Sequence, residues 1–257
     1  MVITWSIWIP QAITQLSNTQ SPVAGSSPWN ILAVWAPALS AILLLRITEG
    51  KSGSAALFQS FRHWRVGIEW YLFILLYPAA IWFLARAIDF LVGLDFEFTI
   101  PILTYFPPEL SYMVAVAILF AFPNTLGEEL GWRGFALPRL QAKYTALGAS
   151  ILLGMFWAVW HIPIWVANGK MGLDLVRSGI TIISFAILFT WVFNNTGGSV
   201  LIAWLFHASM TITQYLLPTP LTITDDILKW GVTVLIIIIA GAPHLSRKQE
   251  RYCVYTN

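Results

Sequence analysis

The sequence predicts an all-α fold, a polytopic transmembrane helix bundle of seven to eight spans, and three observations predict it. Apolar residues make up 58% of the chain and charged residues only 10%, whereas a soluble domain carries about 25% charged residues. The apolar residues fall into separate runs of roughly 20, the length a helix needs to cross a hydrocarbon core about 30 Å thick. The basic residues are sorted between alternate loops, as the orientation of membrane proteins requires.

The first segment, MVITWSIWIPQAI, is aromatic and apolar but short of a full span, so it reads as a shortened first helix. It has neither the basic start nor the small-residue cleavage site of a signal peptide. Residues 14–28, rich in Ser, Thr, Asn, Gly and Pro, read as an uncharged loop. Clear spans follow near residues 29–46, 67–93, 111–127, 146–166, 178–194, 198–217 and 227–242. No internal repeat or low-complexity tract divides them, so residues 1–257 are read as a single integral membrane domain.

Arg46, Lys51, Arg62 and Arg65 share one loop, Arg133, Arg139 and Lys143 another, and Arg247, Lys248 and Arg251 the tail. Counting spans puts these three regions on one side, with only Arg86, Lys170, Arg177 and Lys229 on the other. That distribution predicts a cytoplasmic C-terminus in a cell membrane. The formal charge of +2 is thus a topological signal and gives no case for nucleic-acid binding. The single cysteine, Cys253, excludes a disulfide and any cysteine-based metal cluster.

Within this apolar chain, residues 124–140 read NTLGEELGWRGFALPRL. If residues 125–137 are helical, Glu129 and Arg133 lie at i and i+4 with the acid N-terminal, the favoured sense of an ion pair. Glu128 is turned about 100° away from Glu129. One carboxylate is therefore neutralised and the other is left for water activation. Gly127 and Gly131 remove bulk on both sides, suiting a water molecule or close helix approach. His161 in FWAVWHIPIW and His207 in SVLIAWLFHASMT sit inside two further spans, with Thr211 one turn beyond His207 on the same face. His63 and His244 fall near loops and receive no role.

The depth count does not close on straight helices. At about 1.5 Å per residue from these span ends, Glu128 lies near the basic boundary and His161 about 22 Å inside. Bends at Pro123 and Pro163, or a 140–146 turn that dips into the membrane, would be needed to bring them together.

The residues resemble the CPBP family of intramembrane proteases, which includes the CAAX prenyl endopeptidases and bacterial Abi proteins. Glu128, Glu129 and Arg133 match its Glu-Glu-x-x-x-Arg motif. His161 meets the Phe-x-x-x-His motif with Trp157 in the aromatic position, and His207 meets the third motif with Thr211 where Asn is common. The resemblance spans roughly residues 111–217, the catalytic-type core. It implies an intramembrane endopeptidase acting near the cytoplasmic membrane surface on a membrane-associated protein or peptide. Glu128 and His161 would activate water, and His207 with residue 211 would stabilise the oxyanion. Glu129 and Arg133 would form a structural ion pair.

No cofactor is established by these motifs. A divalent metal such as zinc stays open, held if present by Glu128, His161 and His207, because two imidazoles and a carboxylate form a known catalytic zinc set. The alternatives are a non-catalytic membrane scaffold or bacteriocin-immunity-type binding protein, and a proton-coupled transporter, since buried Glu, Arg and His also mark proton pathways. The inverted repeat expected of a transporter is not visible. Neither Gly-x-Ser-Gly nor His-Glu-x-x-His occurs.

Overall fold

The computed structural model describes residues 1–17, 29–94, 107–217 and 222–246. Helices α1 (Val2–Ser17), α2 (Asn30–Thr48), α3 (Gly50–Gln59) and α4 (Ile68–Leu91) come first. Helix α5 (Pro107–Gly131) runs through a π-helical turn, Trp132–Ala136, into the short α6 (Leu137–Gln141). Then follow α7 (Ala146–Ala167), α8 (Leu173–Asn195), α9 (Val200–Leu216) and α10 (Ile223–Ala240). Every predicted span is therefore a helix. The basic tail beyond residue 246, with Cys253, and most of the 14–28 segment lie outside the described residues.

Among the described residues four helices, α2, α4, α7 and α8, are both long and apolar enough to cross a membrane. Helix α9 is apolar but has only 17 residues. Its start is set inside the bundle: Gly197 and Gly198 take positive φ angles of 69° and 74°, and Ser199, wholly buried, accepts a hydrogen bond from the Ile202 amide at 3.2 Å. Helix α10 opens with a capping box, Thr222 accepting from the Asp225 amide while the Asp225 carboxylate accepts from the Thr222 amide. Its acidic first turn is matched by Arg86 of α4. That guanidinium, fully buried, contacts Asp225 and Asp89 and so ties α4 to α10.

The first helix is a regular one of 16 residues, about 24 Å long and hence short of the hydrocarbon thickness. It is built into the bundle against α7 and α2. Trp160 donates to the Thr4 hydroxyl at 2.8 Å, and that hydroxyl donates to the Ala33 carbonyl at 3.0 Å. Trp8 donates to Asn30 at 3.0 Å. The core proper lies between α4, α8, α9 and α10, where Ile74, Leu188, Phe189, Val192, Ala203 and Phe206 are sealed from solvent. Leu75, Leu76, Phe156, Ile238 and Ile239 stay exposed on outer helix faces, the surface a lipid environment would cover.

The difference from the sequence expectation that matters most is where α5 ends. The expected span stopped at residue 127, because the charged stretch after it reads as a loop. In the structure that stretch is helical to Gln141. Glu129 and Arg133 pair with each other inside the bundle, so the stretch needs no water-facing loop to carry them. Glu128 thus lies 13 residues before Gln141 and His161 lies 15 residues after Ala146, about 20 and 22 Å along their helices. The register closes through helix length.

Candidate active site

The α5 segment is pressed against α2 by its glycines. A Cβ on Gly131 would come within 2.4 Å of Pro37 Cβ, and one on Gly127 within 2.9 Å of the Trp35 Cα and the Val34 carbonyl oxygen. Of the two roles expected for these glycines, close helix approach is the one the packing displays. The π-helical turn follows directly, a departure from α-helical winding that recurs at functional sites. Together they direct the Glu128–Arg133 segment into the bundle between α7 and α9, and Glu129 and Arg133 are wholly buried.

Glu129 Oε1 accepts from Arg133 Nη1 at 2.8 Å, as the i, i+4 spacing predicts. The same oxygen accepts from His207 Nδ1, also at 2.8 Å, a contact between helices that sequence spacing cannot reveal. Since the carboxylate only accepts, His207 Nδ1 carries the hydrogen. A neutral His207 therefore presents an unprotonated Nε2, and only the imidazolium donates from that atom. The Arg133 guanidinium also lies over the rings of Trp157 and Phe189, at 4.5 and 4.3 Å, contacts that favour a desolvated cation.

Glu128 is turned to the other side of α5, as expected. Its Oε2 accepts from the indole Nε1 of Trp157 at 2.7 Å. The backbone carbonyl of Trp157 accepts from His161 Nδ1 at 2.9 Å, which fixes that tautomer and leaves the Nε2 of neutral His161 as an acceptor. His161 is further bracketed by aromatic rings, stacked on Trp165 at 5.3 Å and edge-on to Trp160 at 4.6 Å. The Trp157 donation was not foreseen. The sequence signal for it was the Trp itself, an N–H donor where the resembling family has Phe.

Glu128, His161, His207 and Thr211 all line one cavity of about 650 Å³, so the structure brings the four expected site residues together. Helices α5, α7 and α9 each supply at least one of them. The trio left open as metal ligands is Glu128, His161 and His207; no grouping of three or more His, Cys, Asp or Glu side chains placed to hold an ion is found among the described residues. The Nδ1 atoms of both histidines are used by protein acceptors, which leaves Nε2 as the free ring nitrogen of each.

The cavity runs from Glu128 to the helix ends at Lys170, Asp174, Arg177 and Asp226. There Asp226 accepts from Arg177 Nε and Nη2 at 2.9 and 2.7 Å, and Lys170 donates to Ser178 at 2.8 Å beside the Trp165 ring. Burial pushes the Lys170 ammonium below the usual lysine range, against the pull of Asp174 and Asp226. This mouth lies at the end of the bundle opposite the loops that carry Arg62, Arg65 and Lys143. A cytoplasmic basic side and cleavage near the cytoplasmic surface were both expected. The continuation of α5 to Gln141 sets Glu128 about 20 Å from the basic end of its helix.

A helical membrane protein with a carboxylate and two imidazoles lining one cavity is the class that fold and site define. Residues 109–213 match the family described as type II CAAX prenyl endopeptidase Rce1-like. The chain is 34% identical over 119 residues to CAAX prenyl protease 2 of Methanococcus maripaludis, an alignment that spans 42% of this chain and 42% of that relative. Over this central segment the chain is similar to CAAX prenyl endopeptidases of the CPBP family of membrane proteases.

Proposed function

We propose that the protein is an intramembrane endopeptidase in which Glu128 is the general base. In this reading Glu128, seconded by the Nε2 of His161, removes a proton from water as the water oxygen attacks the scissile carbonyl carbon. The charge that develops on the carbonyl oxygen is met by the Thr211 hydroxyl and by His207 in its imidazolium form. Glu128 then passes its proton to the amide nitrogen, and the C–N bond breaks. Glu129 holds His207 by its Nδ1 hydrogen, as well as neutralising Arg133. The observation that carries this reading is that Glu128, His161 and His207 line one cavity, with Glu128 bound by a single protein donor among the described residues.

The substrate is a membrane-associated protein or peptide whose cleaved segment reaches the cavity from the Lys170–Asp174 end. The prenyl specificity in the names above belongs to those proteins. Comparing membrane peptides from cells with the wild-type chain and with Glu128→Gln tests the reading. Peptides that accumulate or vanish with Glu128→Gln identify the substrate, and the purified variant should then cleave it about 10²–10⁴-fold more slowly. Thr211→Asn forms the second arm. An added amide donor should raise activity by up to about 10², and Thr211→Val should lower it. A chain inert in every form, the Thr211→Asn variant included, is a scaffold and ends the enzymatic reading.

A further inference from the structure

We propose that Trp157 is the positioning residue of this site, its indole N–H holding the Glu128 carboxylate while its carbonyl holds the His161 ring. The proposal rests on the reading of Glu128 as the base, and its geometry stands independently. The indole donates to Oε2 at 2.7 Å, and among the described residues no other hydrogen bond to Glu128 is formed. One carboxylate oxygen is thereby fixed, and the other is left to the cavity.

The indole has little freedom to turn away. It is 1% exposed, with the Arg133 guanidinium over its ring at 4.5 Å and the His207 ring edge-on at 5.5 Å. Phe189 meets it edge-on at 6.1 Å. Arg133 is itself held by Glu129, so the ion pair, the indole and the proposed base form one stack. Four residues along the same helix, His161 donates its Nδ1 hydrogen to the Trp157 carbonyl at 2.9 Å. A single residue thus sets the orientation of both groups that would share the attacking water. A phenylalanine here would keep the carbonyl contact and the packing but leave Glu128 without its donor.

Trp157→Phe isolates the indole N–H, because backbone and ring packing are retained. Against the substrate found with Glu128→Gln, kcat should fall about 10-fold, the scale of one hydrogen bond to a charged group. KM should change little, since the indole borders the cavity but is 1% exposed and its N–H is taken by Glu128. The second readout is independent of turnover: the infrared antisymmetric stretch of the Glu128 carboxylate, assigned by its loss in Glu128→Gln, should shift in Trp157→Phe. A fall in kcat with an unmoved band would reduce Trp157 to packing and overturn the proposal, as would an unchanged kcat. A shifted band in a chain that cleaves nothing would uphold the positioning and refute the proposed function. Should Trp157→Phe not fold, indole ¹⁵N labelling of the wild type and Glu128→Gln serves instead. A Trp157 N–H resonance that does not respond to Glu128→Gln would then overturn the proposal.

Discussion

At the level of single residues, the adjacent glutamates divide their work by direction. Side chains one residue apart on a helix diverge by about 100°, so Glu128 reaches Trp157 and the cavity while Glu129 reaches Arg133 and His207. The i, i+4 pair was legible in the sequence because it is local. The His207 contact was not, because it depends on how α9 docks against α5. That contact changes what Glu129 does. Glu129→Gln leaves a wholly buried Arg133 without its counter-charge, which costs about 3–5 kcal/mol. It also removes the charge that fixes the His207 tautomer. Melting temperature and turnover in detergent should therefore both fall, whereas Glu128→Gln should lose turnover and keep the wild-type melting temperature. Loss of stability from Glu128→Gln equal to that from Glu129→Gln would contradict this division.

Among the elements, α5 carries the site, and its glycines decide how near it comes to α2. The backbone of α2 at Pro37 occupies the place a Cβ on Gly131 would take, at 2.6 Å from the Pro37 carbonyl carbon. Gly131→Ala must therefore push the helices apart, at a cost of about 1–3 kcal/mol or more, and should displace Glu128 and Glu129 together. Gly231→Ala in α10, with nothing near its Cβ, is the control and should match or slightly exceed wild-type stability. A thermal melt of the two variants side by side checks this, and equal melting temperatures would mean that α5 has room to spare. The same helix shows where sequence reading stopped. Spans are legible because lipid demands about 20 apolar residues in a row. The continuation of α5 through Trp132–Ala136 to Gln141 was not, because Arg133, Arg139 and Lys143 read as one basic loop until their partners are known. Arg133 is buried against aromatic rings, and Arg139 reaches Glu49 beyond the end of α2 at 2.5 Å.

On the scale of the whole molecule, orientation decides which compartment the cavity serves. Leaving aside Arg133, which is buried in the bundle, nine of the basic residues fall in the 46–65 and 139–143 segments and the tail, and four at the other end of the helices; the excess predicts that the first group faces the cytoplasm. The mouth at Lys170, Asp174 and Arg177 belongs to the second group. Substrate would then enter from the non-cytoplasmic face, with Glu128 and His161 about 20 and 22 Å from the cytoplasmic ends of their helices. The turn after α7 gives access to the question, because Asn168 and Gly169 are exposed and Gly169 takes a positive φ of 83°. With Cys253, the chain's single cysteine, replaced by Ser, Asn168→Cys should react in intact cells with a thiol reagent that cannot cross the membrane. A cysteine placed at Lys143, on the exposed turn before α7, should react only after the cells are opened. The opposite labelling pattern would invert the bundle and put the mouth in the cytoplasm. The basic loops would then stand against the usual charge rule, and cleavage would fall at the cytoplasmic surface. Either pattern fixes the side from which a substrate must present its scissile bond.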